Sequence, residues 1–300
     1  MLAHNHSDTM TDAGASLIDG NPSPQRGWWM RGTGNFGDID DSRNASGADY
    51  KAGGIAAGLD FDFSDNLTAG AAVGYTRTDA DVANGGLDVN SYQAALYGKL
   101  NLNQGYYLSG MTGVGYHDME SNRSINVGLL NTSAKADYHA WTTSLAVEGG
   151  RSFSLNQNTT LTPFLGLEYA HVNRESFTEK DGGVTNLRVD EDTQDSLRSA
   201  IGARITHNWL TKGYRITPTA ELAWVHEFME DEAGMRAGFA AAPVTTFAVD
   251  GPDLERDRAR VALGLNVQLT EVAYLNLGYQ GEFASSDDRH DFAATFRMMW

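Results

Sequence analysis

The 300-residue chain has 33 glycines against 6 prolines, no cysteine and a formal charge of -17. The acidic balance speaks against nucleic acid as a partner, and the absent cysteines rule out a disulfide scaffold. No stretch reaches the roughly 18 uninterrupted apolar residues of a membrane-spanning helix, but a transmembrane barrel fits such a composition because half of each of its strands is polar.

The chain opens without a basic segment followed by an apolar run, so no secretory signal is visible, and an exported protein would carry one further upstream. Residues 7–19 predict a short helix, with Ser7 as cap and Gly20 followed by Pro22 as stop. Its few apolar residues would not hold it on an ordinary core. They suit a flexible leader or a helix enclosed in a polar cavity.

From Gly27 the pattern changes to strands, in which alternate side chains share a face. The first runs from Trp28 to Gly37. In the second, Ala57, Leu59, Phe61 and Phe63 share one face and Asp60 and Asp62 the other. Leu67 to Tyr75 gives a third, Tyr92 to Leu100 a fourth and Tyr106 to Tyr116 a fifth. The sixth sets Trp141, Leu145 and Val147 against Glu148, and the seventh sets Leu165, Leu167 and Tyr169 against Glu168. The eighth sets Leu197, Ile201 and Ile205 against Arg198 and Arg204, and the ninth sets Leu222 and Trp224 against Arg215, Glu221 and Glu227. Two more strands follow around Val261–Leu269 and Leu275–Phe283. In the last, Phe292, Ala294, Phe296, Met298 and Trp300 form one apolar face up to the final residue. A soluble domain usually ends in a frayed polar tail, whereas lipid would cover such a face.

Short links near 64–66, 103–105, 154–158, 210–213 and 270–272 alternate with longer ones near 38–49, 81–88, 120–134, 176–190 and 231–254, and with a briefer one at 285–288. Two ends of unequal complexity are what outer-membrane barrels have, with tight periplasmic turns and extended external loops. About twelve strands, an even number, bring the last beside the first and remove both sheet edges. Tyr106, Tyr116, Tyr138, Trp209, Tyr214 and Trp300 fall near strand ends and suit interfacial belts. The reading is an all-β, twelve-stranded antiparallel transmembrane barrel over residues 26–300, preceded at 1–25 by a linker or plug with a short helix in the lumen.

The expected inner face collects Arg31, Lys99, Arg204, Arg215, Arg258, Arg260 and Arg297 with Asp60, Asp62, Glu148, Glu168, Glu221, Glu227 and Glu282, a pore lining of paired and partly hydrated charges. The eight histidines form no compact metal signature, and no cofactor motif is present. Asp/His chemistry at the outer rim, among His117, Asp118, His139 and Glu175, is the one enzymatic reading. A general diffusion porin is the alternative to a dedicated translocator.

In order along the chain stand Gly27-Trp28-Trp29-Met30-Arg31-Gly32, Gly53-Gly54-Ile55-Ala56-Ala57-Gly58-Leu59-Asp60-Phe61, Asp65-Asn66-Leu67-Thr68-Ala69-Gly70, Leu161-Thr162-Pro163-Phe164, Phe177-Thr178-Glu179, Leu197-Arg198-Ser199 with Gly202 and Arg204, Ala223-Trp224-Val225-His226-Glu227, and the aromatic terminus. Together they resemble the C-terminal translocator domain of the autotransporters of type V secretion in Gram-negative bacteria. The resemblance implies an outer-membrane barrel without enzymatic activity or cofactor. It also implies a helix in the lumen that continues into a secreted passenger. By the same resemblance Phe292, Phe296, Met298 and Trp300 correspond to the terminal signal read by the barrel assembly machinery. The implied partners are lipid, the passenger, that machinery and periplasmic chaperones, with the barrel itself a monomer. One branch of the family cuts its passenger at an Asn-Asn junction inside the pore; the leader here has only His4-Asn5-His6, so self-cleavage is not carried over.

Overall fold

The computed structural model describes residues 26–41, 46–211, 214–229, 235–242, 245–249 and 255–300. The helix expected over residues 7–19 lies outside them. The long strands are β1 (Gly27–Ile39), β2 (Ala48–Ser64), β3 (Leu67–Val82), β4 (Gly85–Asn101), β5 (Tyr106–Val127), β6 (Leu130–Arg151), β7 (Thr159–Arg174), β8 (Asp192–His207), β9 (Tyr214–Glu227), β10 (Asp257–Gln268), β11 (Ala273–Phe283) and β12 (Asp287–Met299). Each pairs antiparallel with its chain neighbours, and β12 returns to β1 with Met299 opposite Gly27 and Asp287 opposite Ile39. These twelve strands therefore form a closed barrel, and every ladder edge along the main wall is paired.

The alternation read from the sequence becomes two faces. On β4, Leu96 is 62% exposed, while its neighbours Ala95 and Tyr97, which point inward, are 5% and 4% exposed. Ile55, Val73, Leu145, Leu165, Ile201, Leu222, Leu263 and Leu277 continue the outward apolar band around the wall. A band of this extent on a soluble protein would be an aggregation surface; here it is the surface that lipid covers.

Two of the expected loops are strand instead. Residues 81–88 are taken up by β3 and β4, which meet at Ala83-Asn84, and residues 120–134 by β5 and β6, which turn at Gly128-Leu129 with Gly128 at φ 61°. The many polar residues and glycines of these segments mimic a loop in the sequence, but a two-residue turn lets both strands continue past the apolar band. In this extension the pattern reverses: Val89, Met119, Ala140, Ala170 and Val172 point inward and pack into a buried cluster with Leu87 and Tyr138. Tyr138, expected in an interfacial belt, instead stacks on Phe177 with ring centroids 4.1 Å apart.

The segments near 176–190 and 231–254 contribute a second, four-stranded sheet in the order Thr246–Val249, Met235–Phe239, Leu187–Val189, Phe177–Thr178. Arg123 of β5 ties it to the barrel. Its guanidinium donates to both carboxylate oxygens of Glu179, at 2.9 and 2.6 Å, and to the Thr185 carbonyl at 3.0 Å.

Candidate functional site: the charged interior

Because adjacent strands are in register and each places every second residue inward, residues far apart in the chain meet inside the cylinder. The first group joins β7, β8, β10 and β11. Arg198 and Arg260 both bond Glu282, the latter at 2.7 Å from Nε, and both approach Glu168, at 3.9 and 3.5 Å. The Arg198 and Glu282 side chains are each only 3% exposed. Two guanidinium groups between two carboxylates offset each other's loss of hydration, which neither charge could withstand alone in so dry a position.

In the second group Arg204 reaches from β8 to Glu221 on β9 at 2.6 Å and to Glu148 on β6 at 3.5 Å. The Tyr107 hydroxyl donates to Glu148, and the Arg204 guanidinium also lies 5.0 Å from the Phe164 ring centre. The third group straddles the closing seam. Trp29 Nε1 donates to Tyr97 Oη at 2.7 Å, Tyr97 donates to Asp60 Oδ1 at 2.7 Å, and Arg297 Nη2 stands 3.2 Å from Asp60 Oδ2. Strands β1, β2, β4 and β12 are linked in this way. The rings reach so far because glycines let them lie flat on the wall: a Cβ at Gly58 would come within 2.5 Å of Trp29, and one at Gly70 within 2.6 Å of Tyr97.

Of the fourteen charged residues expected on the inner face, nine meet in these groups or beside them: Arg31, Asp60, Glu148, Glu168, Arg204, Glu221, Arg260, Glu282 and Arg297. Arg31, Glu148, Glu168, Arg204, Glu221 and Arg260 border an interior cavity of about 150 Å³. Arg215 lies half-buried toward the short-turn end, opposite Leu210. Arg198, placed on the inward face by its parity but not counted among the lining residues, sits at the centre of the first group. The sequence carried no sign that aromatic residues bond the lining charges, Tyr97 donating to Asp60, Tyr107 to Glu148 and Trp29 to Tyr97. Toward the external end Arg258 pairs with Asp287, and Arg289 pairs with Asp291 at 2.9 Å.

The rim constellation does not assemble. His117 points inward, 2% exposed, between Ser91 Oγ at 2.8 Å and Thr142 Oγ1 at 2.9 Å, whereas Asp118 and His139 pair on the outer face at 3.3 Å. Consecutive residues of one strand cannot share a face, so the imidazole of His117 and the carboxylate of Asp118 are separated by the wall. Along the last strand Phe292, Phe296 and Met298 face outward, Trp28 packs on Phe296 at 5.6 Å, and the Trp300 amide donates to the Arg26 carbonyl at 2.9 Å.

The family described as Autotransporter beta-domain matches residues 28–280. The chain belongs to the autotransporter family. An extracellular serine protease of Serratia marcescens is 31% identical over 264 residues, which cover 87% of this chain and 25% of that protein. The chain thus spans about a quarter of the length of that relative. The translocator domain of NalP from Neisseria meningitidis superimposes with a TM-score of 0.81 at 15% identity, covering 100% of this chain and 97% of that one. The β-domain of the Bordetella autotransporter BrkA gives 0.71 at 22% identity, covering 92% and 100%. The autotransporter chain described here is an outer-membrane translocator β-domain, a structural barrel rather than a catalytic unit.

Proposed function

We propose that this translocator domain enables an upstream passenger of its own chain to reach the cell surface, with residues 1–25 leading from that passenger into the lumen as a plug that includes a helix. The observation that carries this reading is the inner wall. Its charges of both signs are already paired within the wall, so a polypeptide passing along it meets hydrogen-bonding groups at every height without meeting one dominant charge. Arg31, Asp60, Glu148, Glu168, Arg204, Arg215, Glu221, Arg260, Glu282 and Arg297 are the lining in this proposal. Phe292, Phe296, Met298 and Trp300 are the signal presented to the barrel assembly machinery, which periplasmic chaperones help the chain to reach.

The test is surface labelling of a reporter passenger fused upstream of residue 1, with and without residues 26–300. Labelling should require the barrel, and equal labelling in its absence ends the proposal. Planar-bilayer conductance separates a plugged translocator from a diffusion porin. Removing residues 1–25 should raise it, and unchanged conductance would mean that the leader does not occupy the lumen.

A further inference from the structure

Where the apolar band ends on its external side, the outer face carries a recurring trio of aromatic ring, imidazole and carboxylate. On β5 and β6, Tyr116 Oη lies 2.9 Å from His139 Nδ1, and Asp118 Oδ1 lies 3.3 Å from that same nitrogen. On β7 and β8, Tyr169 donates to Asp195 Oδ1 at 2.6 Å and His171 Nδ1 meets the same oxygen at 2.9 Å. On β9 and β10, Trp224 Nε1 donates to Asp257 Oδ1 at 2.9 Å and His226 Nδ1 meets it at 2.7 Å. In all three, histidine and aspartate are direct cross-strand partners. β11 and β12 carry a variant with the ring turned round: His290 Nδ1 faces Tyr279 Oη at 2.9 Å, and its Nε2 faces Asp288 at 3.7 Å.

Packing alone would be met by the aromatic residue, and solubility by the carboxylate. The imidazole adds a group that becomes positively charged when it takes a second proton. With aspartate at Nδ1, a protonated ring has its charge balanced within the pair and directs Nε2–H to the opposite side. A carboxylate surface without that proton would repel an anionic headgroup. With it, each pair is neutral and offers a donor beside an aromatic edge, at the level where an outer-membrane barrel meets the headgroups. The other charges near these rings are mainly acidic. Glu120, Asp137 and Glu175 lie near His139, with Lys180 4.0 Å from Asp137. Arg256 lies near Asp257 beside His226, and Asp38 lies near Asp288 beside His290. Neutralising the pairs is therefore what permits approach of an anion.

We propose that His139, His171 and His226, each held by its cross-strand aspartate, form a proton-dependent belt that docks phosphate-bearing lipid headgroups of the external leaflet. The belt is continuous with the lipid-covered band below it, which fixes the occupant as a membrane lipid.

The test uses the 300-residue chain folded in detergent and incubated with phosphatidylglycerol, whose phosphodiester does not titrate near neutrality, or with diacylglycerol of the same chains. Retained lipid is counted by native mass spectrometry. Between about pH 8 and about pH 5.5 phosphatidylglycerol retention should rise on the order of fivefold and diacylglycerol should not change. His139→Gln, His171→Gln and His226→Gln combined should abolish the rise, while His290→Gln should keep it. A second variant set, Asp118→Asn, Asp195→Asn and Asp257→Asn, removes the counter-charge and should move the midpoint of the rise to lower pH by about one unit. An undiminished rise in the histidine triple variant, an unmoved midpoint in the asparagine set, or an equal rise for diacylglycerol would overturn the proposal.

Discussion

Glu282 shows what a single buried charge does in this wall. Two arginines converge on it, so Glu282→Ala removes the carboxylate that Arg198 and Arg260 share and leaves Glu168 farther off, at 3.9 and 3.5 Å. Breaking such a group from one side costs about 3–5 kcal/mol. Urea unfolding of the barrel in lipid vesicles should show a loss of that size, and Glu282→Gln should lose less. Tyr97→Phe acts differently: it removes the acceptor of Trp29 Nε1 and a donor to Asp60 while the packing stays, at a cost of about 1–3 kcal/mol on the same measurement. Beyond the apolar band, the hydrogen bond from the Tyr169 hydroxyl and then that from His171 hold the Asp195 carboxyl below its ordinary range. A depressed carboxyl contributes stability above its unfolded pKa and loses it as pH falls through the folded value. Tyr169→Phe should therefore raise the Asp195 titration midpoint in carbon-detected NMR; no movement would assign the depression elsewhere.

At the scale of elements, the hairpin of β5 and β6 carries Arg123 to the second sheet. Arg123→Ala should leave the melting of the barrel unchanged while limited proteolysis within 176–190 becomes faster, because Glu179 loses its bidentate partner but no main-wall ladder is touched. The barrel strands were legible in the sequence because lipid on one side and charge on the other enforce a period of two, as at Leu96 between Ala95 and Tyr97. Residues 120–134 were not, because above the membrane that contrast fades and then inverts. Met119 and Val89 turn inward to a dry cluster while Asp118 and Glu120 face water, so the same alternation continues with its meaning exchanged. The members of the interior face were readable from parity, residue by residue. Which of them meet was not: Arg198 and Glu282 are 84 positions apart and meet across the inner face of three successive hairpin pairings, from β8 to β11.

For the whole molecule, closure rests on β1 and β12, and the chain from Trp29 through Tyr97 and Asp60 to Arg297 crosses that seam from within. Weakening it should show first as a loss of the compact, heat-modifiable form on unheated gels. Arg297→Ala is expected to lower the temperature at which that form disappears, and a variant indistinguishable from the parent would mean that the ladder between the two strands closes the barrel unaided.

The inversion of pattern along β5 and β6 also sets how deep the cylinder rides. Pushed one residue pair toward the periplasm, it would drag Asp118, His139 and their counterparts on other hairpins toward oil, where the cost of a charged side chain on the outer face climbs from about 0–1 kcal/mol at the interface as depth increases. Lifted by the same step, it would raise Trp141 and Tyr169, the next outward residues below the belt, toward water. Both displacements are uphill, so the domain floats at one waterline, like a ballasted buoy.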